Sequence, residues 1–512
     1  MQASNRKLSI SIAGFAAILI FFCATYYGEM LHMKPRGIHD WAQADRLSLA
    51  VCFYDEGMDF FKPRTHNVYS TDGVTGVEFP IQAYLAAVGG KVFGREHISS
   101  CFRLMDTIIA CAGLLFLFMA AYKRTDFVFS MVAPLFVFCA PMFIYYACNY
   151  VPDAVAVSIL FAAFYFVLNY IDERKTRDML WAIGLMTLAT LIKTSDGLYM
   201  LGFIGLVTFQ RLRHMAGYNR KSHYAFIASA LVAVALPVAY YFYNRYLNQT
   251  YHSTVFLAKA NPFTSWEDFQ HYIDVDFKLV WMREYLELPQ YLLLVVVLVI
   301  ALPLLKHTSH GRTNLLLLSV FLIGVLCMGY LMGAQLRYHD YYVLSIFLPL
   351  ISFALLVSVI VIYEYASIGK GISLWRRGWI AAIIIMFFFA DFHHHQRLKP
   401  DYYPFGAGIP WAYDGHILMD ELHIPKDERI IVLGEDAPNI ALVHLDRKGY
   451  HIPTEMSGNL QRVVQLMGQL HVSTLVCTIP AANHILKGDD YTRGRFKQLA
   501  MTDKIAVLSL LP

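Results

Sequence analysis

Apolar residues along this chain fall into eleven runs separated by short polar connectors: Leu8 to Tyr27, Leu104 to Tyr122, Phe127 to Ala147, Val151 to Ile171, Met179 to Ile192, Gly197 to Phe209, Tyr224 to Tyr243, Tyr291 to Leu305, Leu315 to Met332, Tyr341 to Tyr363 and Gly378 to Ala390. A straight membrane span needs about 20 such residues, and several of the runs fall short of that. The pattern predicts a polytopic α-helical membrane protein with about 11 transmembrane helices over residues 1–390. Past Ala390 polar residues return, and Ile430 to Leu433, Thr474 to Cys477 and Ile505 to Leu510 read as buried strands between helical or loop stretches. Residues 391–512 are therefore expected to form a small α/β domain, long enough to bury a core of its own.

Charge orients the helices. Lys and Arg are retained on the cytoplasmic side of a membrane. Alternate connectors carry Lys123 and Arg124, then Arg174, Lys175 and Arg177, then Arg211, Arg213, Arg220 and Lys221, then Lys306 and Arg312, then Lys370, Arg376 and Arg377, whereas those between carry far fewer. With Arg6 and Lys7 inside, the N-terminus is cytoplasmic, and the first run is a retained signal anchor with no small-residue cleavage site. The first loop (about 28–103), the loop from Asn244 to Gln290 and the C-terminal domain then come out extracytoplasmic.

The first outer loop is the unusual stretch. It opens on HDWAQADR and closes on EFPIQAY. Trp41 to Tyr54 is expected to be an amphipathic helix on the membrane surface, with Leu47, Val51 and Tyr54 on one face. Val77 to Phe93 is expected to be a second helix, its start marked by Pro80, with turns over Thr71 to Gly76 between them. In the second outer loop Trp266, Trp281, Tyr272 and Tyr285 stand among acids, as in a segment resting at the interface.

Composition agrees and narrows the function. Of 512 residues 57% are hydrophobic and only 16% charged, where a soluble chain would carry about a quarter. The net charge of +4 is spread over connectors, so nucleic acid is not an expected partner, whereas the lipid bilayer is. The eight cysteines form no CxxC pair and read as small core residues rather than a disulfide framework or a zinc site. His393 to His395 cannot converge on one ion from a regular helix or strand.

Polar residues gather at the outer helix ends: Asp40, Asp45 and Glu78 in the first loop, Arg103 entering the second helix, Asn149 and Asp153, Lys193 and Asp196, and Arg337, His339, Asp340, Tyr341 and Tyr342. Ionisable groups at such depth are costly and tend to be paired or functional. Carboxylates beside cations suit transfer from a phosphate leaving group to a hydroxyl, a carboxylate taking the proton and cations stabilising the phosphate. Asp40 and Asp45 are five positions apart, about 140° around a helix, so only one of them faces a given substrate. Each residue has an ordinary reading as well. Asp40 and Asp153 are placed to cap helices, Asp45 to pair with Arg46, Glu78 to favour a helix start, Lys193 to snorkel, and Arg337 with His339 to form an interface cluster.

The ordered series HDWAQADR, EFPIQAYLAAVGGKVFG, CFRLMD, YYACNYVPDA, TLIKTSDG and RYHDYYVLSIFLPL resembles the GT-C glycosyltransferases, in the superfamily of the protein O-mannosyltransferases and the aminoarabinose transferase of lipid A. The resemblance covers about Leu8 to Pro349. It implies a membrane glycosyltransferase, a hexosyl- or pentosyltransferase that moves a sugar with inversion from a polyprenyl-phosphate carrier to an extracytoplasmic acceptor, in a bacterial inner membrane. It implies Asp40 or Asp45 as catalytic base, with Glu78 a second polar residue of the loop. Asn149 and Asp153 match the second acidic motif. Arg103, Lys193, Arg337, His339, Tyr341 and Tyr342 match donor and phosphate contacts. Trp41 replaces the second acid of the family's paired-acid motif, which leaves a divalent cation open. A transporter or flippase is the alternative from a different class, and a glycan polymerase or ligase the alternative within carrier chemistry.

Overall fold

The computed structural model describes residues 2–213, 218–256, 260–368, 371–399, 409–487, 492 and 494–511. Among them, eight helices are long and apolar enough to cross a membrane. Two more, Thr176–Ile192 and Gly197–Arg213, have 17 residues each, and Phe127–Phe138 is shorter still. Together they account for the eleven runs. One run is not continuous: Pro141 holds Ala140 in an extended conformation, as the residue before a proline is constrained to be. The expected helix from Phe127 to Ala147 is thereby split into Phe127–Phe138 and Pro141–Tyr146.

The chain divides into two compact units. The first comprises Met1–His32, Arg103–Tyr241 and Ala258–Arg397. Its centre is made by the helices Asp153–Glu173 and Asp340–Ile368, whose apolar stretches are 83% and 72% buried, against 11% for Ile372–Arg397 at the periphery. Phe164, Tyr199, Phe321 and Phe353 pack ring to ring between them. The basic connectors share one end of this unit. Arg124 pairs with Asp172 at 2.5 Å, Arg376 with Asp126 at 2.6 Å, Lys123 with Glu173, and Arg211 donates to Ser222 at 3.0 Å. The alternation of charge in the sequence thus corresponds to a real sidedness of the helical unit.

Two expectations about the second outer loop are corrected. The helix Arg220–Thr250 runs on through Asn244, where a loop was expected, because nothing between Tyr243 and Thr250 breaks it. Of the four aromatic residues expected at the interface, Trp266 is exposed but Tyr272, Trp281 and Tyr285 are buried.

The second unit comprises Met33–Phe102, Phe242–Leu257 and Leu398–Pro512. It contains the first-loop helices Asp40–Asp55 and Ile81–Phe93, close to the expected spans. The first is buried round much of its circumference, Gln43, Leu47, Leu49, Ala50 and Phe53 all being inside, so it is no one-sided surface helix. A five-stranded sheet consists of β1 (Ile430–Leu433), β2 (Gly449–Ile452), β3 (Thr474–Thr478), β4 (Phe496–Met501) and β5 (Ile505–Leu510), in the order β2-β1-β3-β5-β4. β1 is parallel to β2 and β3; β5 is antiparallel to β3 and β4. Alternate side chains serve two cores. Ile431, Leu433 and Leu475 pack on Val463 and Met467 of the helix Leu460–Leu470, whereas Ile430, Val432 and Val476 pack on Leu442 and Leu445.

Strands β2 and β4 escaped the sequence reading. The first is only four residues long, and the second is largely exposed, so neither shows an apolar run. First-loop residues close the outer edge of β2. Val68 N donates to Gly449 O at 2.9 Å, and Gly449 N to His66 O at 3.0 Å. Tyr69 Oη also donates to His451 O at 2.8 Å, so first-loop groups occupy part of the edge that another chain would need for pairing. A Cβ on Gly449 would collide with the backbone of Ile430, which explains glycine at the start of β2. Arg95 bridges Asp55 and Asp446 at 2.9 and 2.8 Å, tying the first loop to the C-terminal residues within this unit.

Candidate active site

In the helical unit Asp153 is the first residue of its helix, following Pro152, and caps nothing. Lys193 follows the last residue of Thr176–Ile192 in an extended conformation, which turns it away from that helix. Its Nζ stands 3.1 Å from Asp153 Oδ1, and both side chains are buried. The ammonium also lies 3.9 Å from the ring centre of Tyr342 and 5.2 Å from that of Tyr341. Lys193 does not snorkel. Asp196, one short turn on, is fully buried, and its carboxylate oxygens have no hydrogen-bond partner among the described residues. Asn149 is buried too, its Oδ1 accepting from Tyr150 N at 2.7 Å. Arg103 stacks on Tyr150 at 4.4 Å and donates to Cys148 O at 2.6 Å.

The late polar motif divides in two. Arg337 Nε donates to Asp276 at 2.8 Å, and its guanidinium lies 3.7 Å from Asp268, so it is engaged by the second outer loop. His339 faces Gln335 O at 3.2 Å and meets the rings of Tyr341 and Tyr342 edge-on. Asp340 turns the other way, to Tyr146 and to Arg397, and Arg397 also reaches Glu284 at 3.0 Å. The three neighbouring histidines point to three different partners: His393 to Glu287, His394 to Tyr26 O and His395 to Asp391 O.

In the second unit Asp40 is the first residue of its helix and His39, at φ +53°, precedes it; no side chain caps this end. Asp40 is 7% exposed and accepts from Tyr413 Oη at 3.3 Å. Burial pushes its carboxyl up to about 6, against the bonds from Tyr413 and the backbone, which favour the charged form. Asp45 accepts from Asn439 Nδ2 at 2.8 Å, and burial likewise pushes it up to about 6. Arg46 pairs with Glu78 rather than standing as the close partner of Asp45. The two aspartates thus meet different parts of the C-terminal segment, Asp40 the Tyr413 side and Asp45 the Asn439 side, as their angular separation on the helix requires.

Nothing in the sequence marked Tyr413, Glu435 or Asn439, which lie in ordinary loop surroundings and become neighbours of the acids only through folding. Arg397 had one signal, a lone arginine closing an apolar helix. As to a divalent cation, Lys193 already supplies positive charge beside Asp153, and among the described residues no three His, Cys, Asp or Glu side chains are grouped to hold a metal.

Residues 78–241 match the family described as dolichyl-phosphate-mannose-protein mannosyltransferase. Over almost the whole chain the structure matches ArnT from Cupriavidus metallidurans, at TM-score 0.60 in the apo state and 0.61 bound to undecaprenyl phosphate. Identity is 12%, and 99% and 98% of this chain and 98% of that one are covered. The fold is that of the GT-C glycosyltransferases. The archaeal oligosaccharyltransferase AglB from Archaeoglobus fulgidus, in complex with an inhibitory peptide and a dolichol-phosphate, shares it at TM-score 0.55 and 10% identity over 93% of this chain and 70% of that one. No curated protein matches the chain by sequence. The GT-C fold expected from the motif series is therefore the fold observed, with its C-terminal sheet.

Proposed function

We propose that the chain is a membrane glycosyltransferase that takes a sugar from a polyprenyl-phosphate carrier and places it, with inversion, on an extracytoplasmic acceptor. The observation that carries the reading is the buried cluster of Lys193, Asp153, Asp196 and Tyr341, with the half-buried Tyr342 against the ammonium, at the end of the helical unit opposite its basic connectors. The 21-residue helix that begins at Asp153 ends at Glu173, which Lys123 and Lys175 hold, so about 30 Å separates the two ends. A desolvated ammonium of this kind is an electrostatic stabiliser for a departing phosphate. The match to an ArnT structure bound to undecaprenyl phosphate supports such a carrier.

The geometry supports a role for each of these residues. Lys193 and Arg103 face the carrier phosphate, while Tyr341 and Tyr342 cover the lysine and exclude water. Asn149, Asp153 and Asp196 set its position. Asp40, whose raised carboxyl suits proton abstraction near neutral pH, is the base, and Asp45 holds the loop that carries Asn439. The acceptor oxygen bonds to C1 of the sugar, the C1–O bond to phosphate breaks with its electron pair leaving on the phosphate, and the acceptor proton passes to Asp40. Arg337 and His339 shape the second outer loop and the tyrosine pair. By the positive-inside rule the basic connectors and the N-terminus face the cytoplasm, and the Asp153 end and the C-terminal domain face away from it, in a bacterial inner membrane.

The test is mass spectrometry of envelope glycolipids and glycoproteins from cells with and without the chain. One sugar missing from a defined acceptor is the expected result. Unchanged glycans, together with loss of uptake of a labelled solute, would make it a transporter.

A further inference from the structure

The sheet of the second unit reverses direction at one place. From β1 the chain crosses to β2 on one side, and from β2 it crosses back past β1 to β3 on the other. In open α/β sheets such a reversal leaves a crevice at the carboxyl ends of the strands, where ligands bind. Here that place is the turn after β1, from Gly434 to Asn439. Gly434 takes φ +77°, a conformation that side chains disfavour, and the N–H groups of Gly434 and Glu435 both donate to Ile452 O, at 2.8 and 3.2 Å.

Glu435 is 5% exposed. Its Oε1 accepts from Ala437 N at 2.8 Å, whereas Oε2 is buried and has no hydrogen-bond partner among the described residues. A buried carboxyl oxygen left so is costly unless it is protonated or meets a ligand. Burial pushes the Glu435 carboxyl up to about 7, and the nearby charge of Asp40 adds to the effect. At the other end of the turn Asn439 bonds to Asp45, fixing the turn to the helix that carries Asp40.

We infer that this crevice is the acceptor site and that Glu435 is its second carboxyl, hydrogen-bonded through Oε2 to the acceptor hydroxyl beside Asp40. The inference rests on the glycosyltransferase reading. The charge of Asp40 acts on Glu435, so the two buried carboxyls favour opposite protonation states, the neutral one able to donate to the acceptor oxygen while the ionised one accepts its proton. As C1 of the sugar bonds to that oxygen and the phosphate leaves with the C1–O electron pair, the proton goes to the ionised member of the pair. The acceptor group that fits is a hydroxyl able to accept from the neutral carboxyl and to give its proton to the ionised one.

The experiment compares wild type, Glu435→Gln, Glu435→Asp, Asp40→Asn and the Asp40→Asn/Glu435→Gln pair. It reads sugar transfer in envelope extract and, separately, binding of undecaprenyl phosphate by the purified protein. Glu435→Gln is expected to lower kcat/KM for the acceptor by about tenfold or more, with carrier binding kept and partial rescue by Glu435→Asp. The pair should be no worse than Asp40→Asn alone, as for groups that act as a unit. Wild-type transfer by Glu435→Gln overturns the inference, as does loss of carrier binding in that variant, which would make Glu435 a scaffold residue. A wild-type protein that transfers no sugar overturns the glycosyltransferase reading itself.

Discussion

Lys193 Nζ lies 3.1 Å from Asp153 Oδ1 with both side chains sealed from solvent. Removing one partner of a buried ion pair leaves an uncompensated charge and costs about 3–5 kcal/mol, whereas removing both costs much less. Lys193→Met and Asp153→Asn should each lower the thermal unfolding temperature in detergent, and the double variant should recover part of the loss. Carrier binding separates the roles. Undecaprenyl phosphate affinity should fall in every variant that lacks Lys193, including the stable double variant.

Asp40 supplies a prediction with opposite signs for activity and stability. A base with its carboxyl near 6 loses activity as pH falls through about 6, and Asp40→Asn should reduce transfer by about 10² to 10⁴. Stability runs the other way. A carboxyl raised from 3.8 to about 6 in the folded protein contributes stability that is fully present below 3.8 and is lost as pH rises through 6. Above that pH the buried charge costs about 3 kcal/mol, so Asp40→Asn should be as stable as wild type or more so at pH 7.5 while being inactive. Thermal unfolding at pH 5 and pH 7.5 checks this, and a variant less stable at both pH values would refute it.

Arg397 and Arg337 look alike in sequence but should differ when replaced. Arg397 is buried and holds Asp340 and Glu284, so Arg397→Met leaves two sealed carboxylates without their cation and should cost about 3–5 kcal/mol. The Arg337 side chain is 19% exposed, and its pairs with Asp276 and Asp268 should be worth closer to 1 kcal/mol. Unfolding of the two variants in the same detergent compares them directly.

Cys23 and Cys111 bring their Sγ atoms within 3.5 Å from two separate helices of the first unit. A mild oxidant such as copper phenanthroline should crosslink them in membranes, and Cys101 should not join either. Peptide mapping without reductant reads the result. Failure to crosslink would place the first helix in a different register against its neighbour.

Much of the fold was legible because the bilayer enforces it. With no water to satisfy backbone groups, an apolar run has to be helical, and charge in the connectors has to alternate. The runs beginning at Leu8 and Tyr341 could therefore be read directly, as could Ile430 to Leu433 and Ile505 to Leu510, where burial on both sides leaves an unbroken apolar stretch. What failed to show was local or long-range. Pro141 broke a run that composition alone would continue. Strand β2 is too short and β4 too exposed to leave a pattern.

The candidate site was legible by residue type and not by partner. Asp40, Asp153 and Lys193 stood out because ionisable groups are rare beside membrane spans. That Lys193 meets Asp153, that Asp40 meets Tyr413, and that Arg337 is taken up by Asp276 could not be read from spacing, since the members of each pair lie between 40 and 373 positions apart. Sequence by itself determined the number of apolar runs, their sidedness and which polar side chains would be costly to bury, because each of those follows from the solvent a segment must live in. Only the tertiary structure decided which charges neutralise one another and that the first loop closes the edge of the C-terminal sheet, because contacts between distant segments depend on shape and leave no periodic trace in the chain.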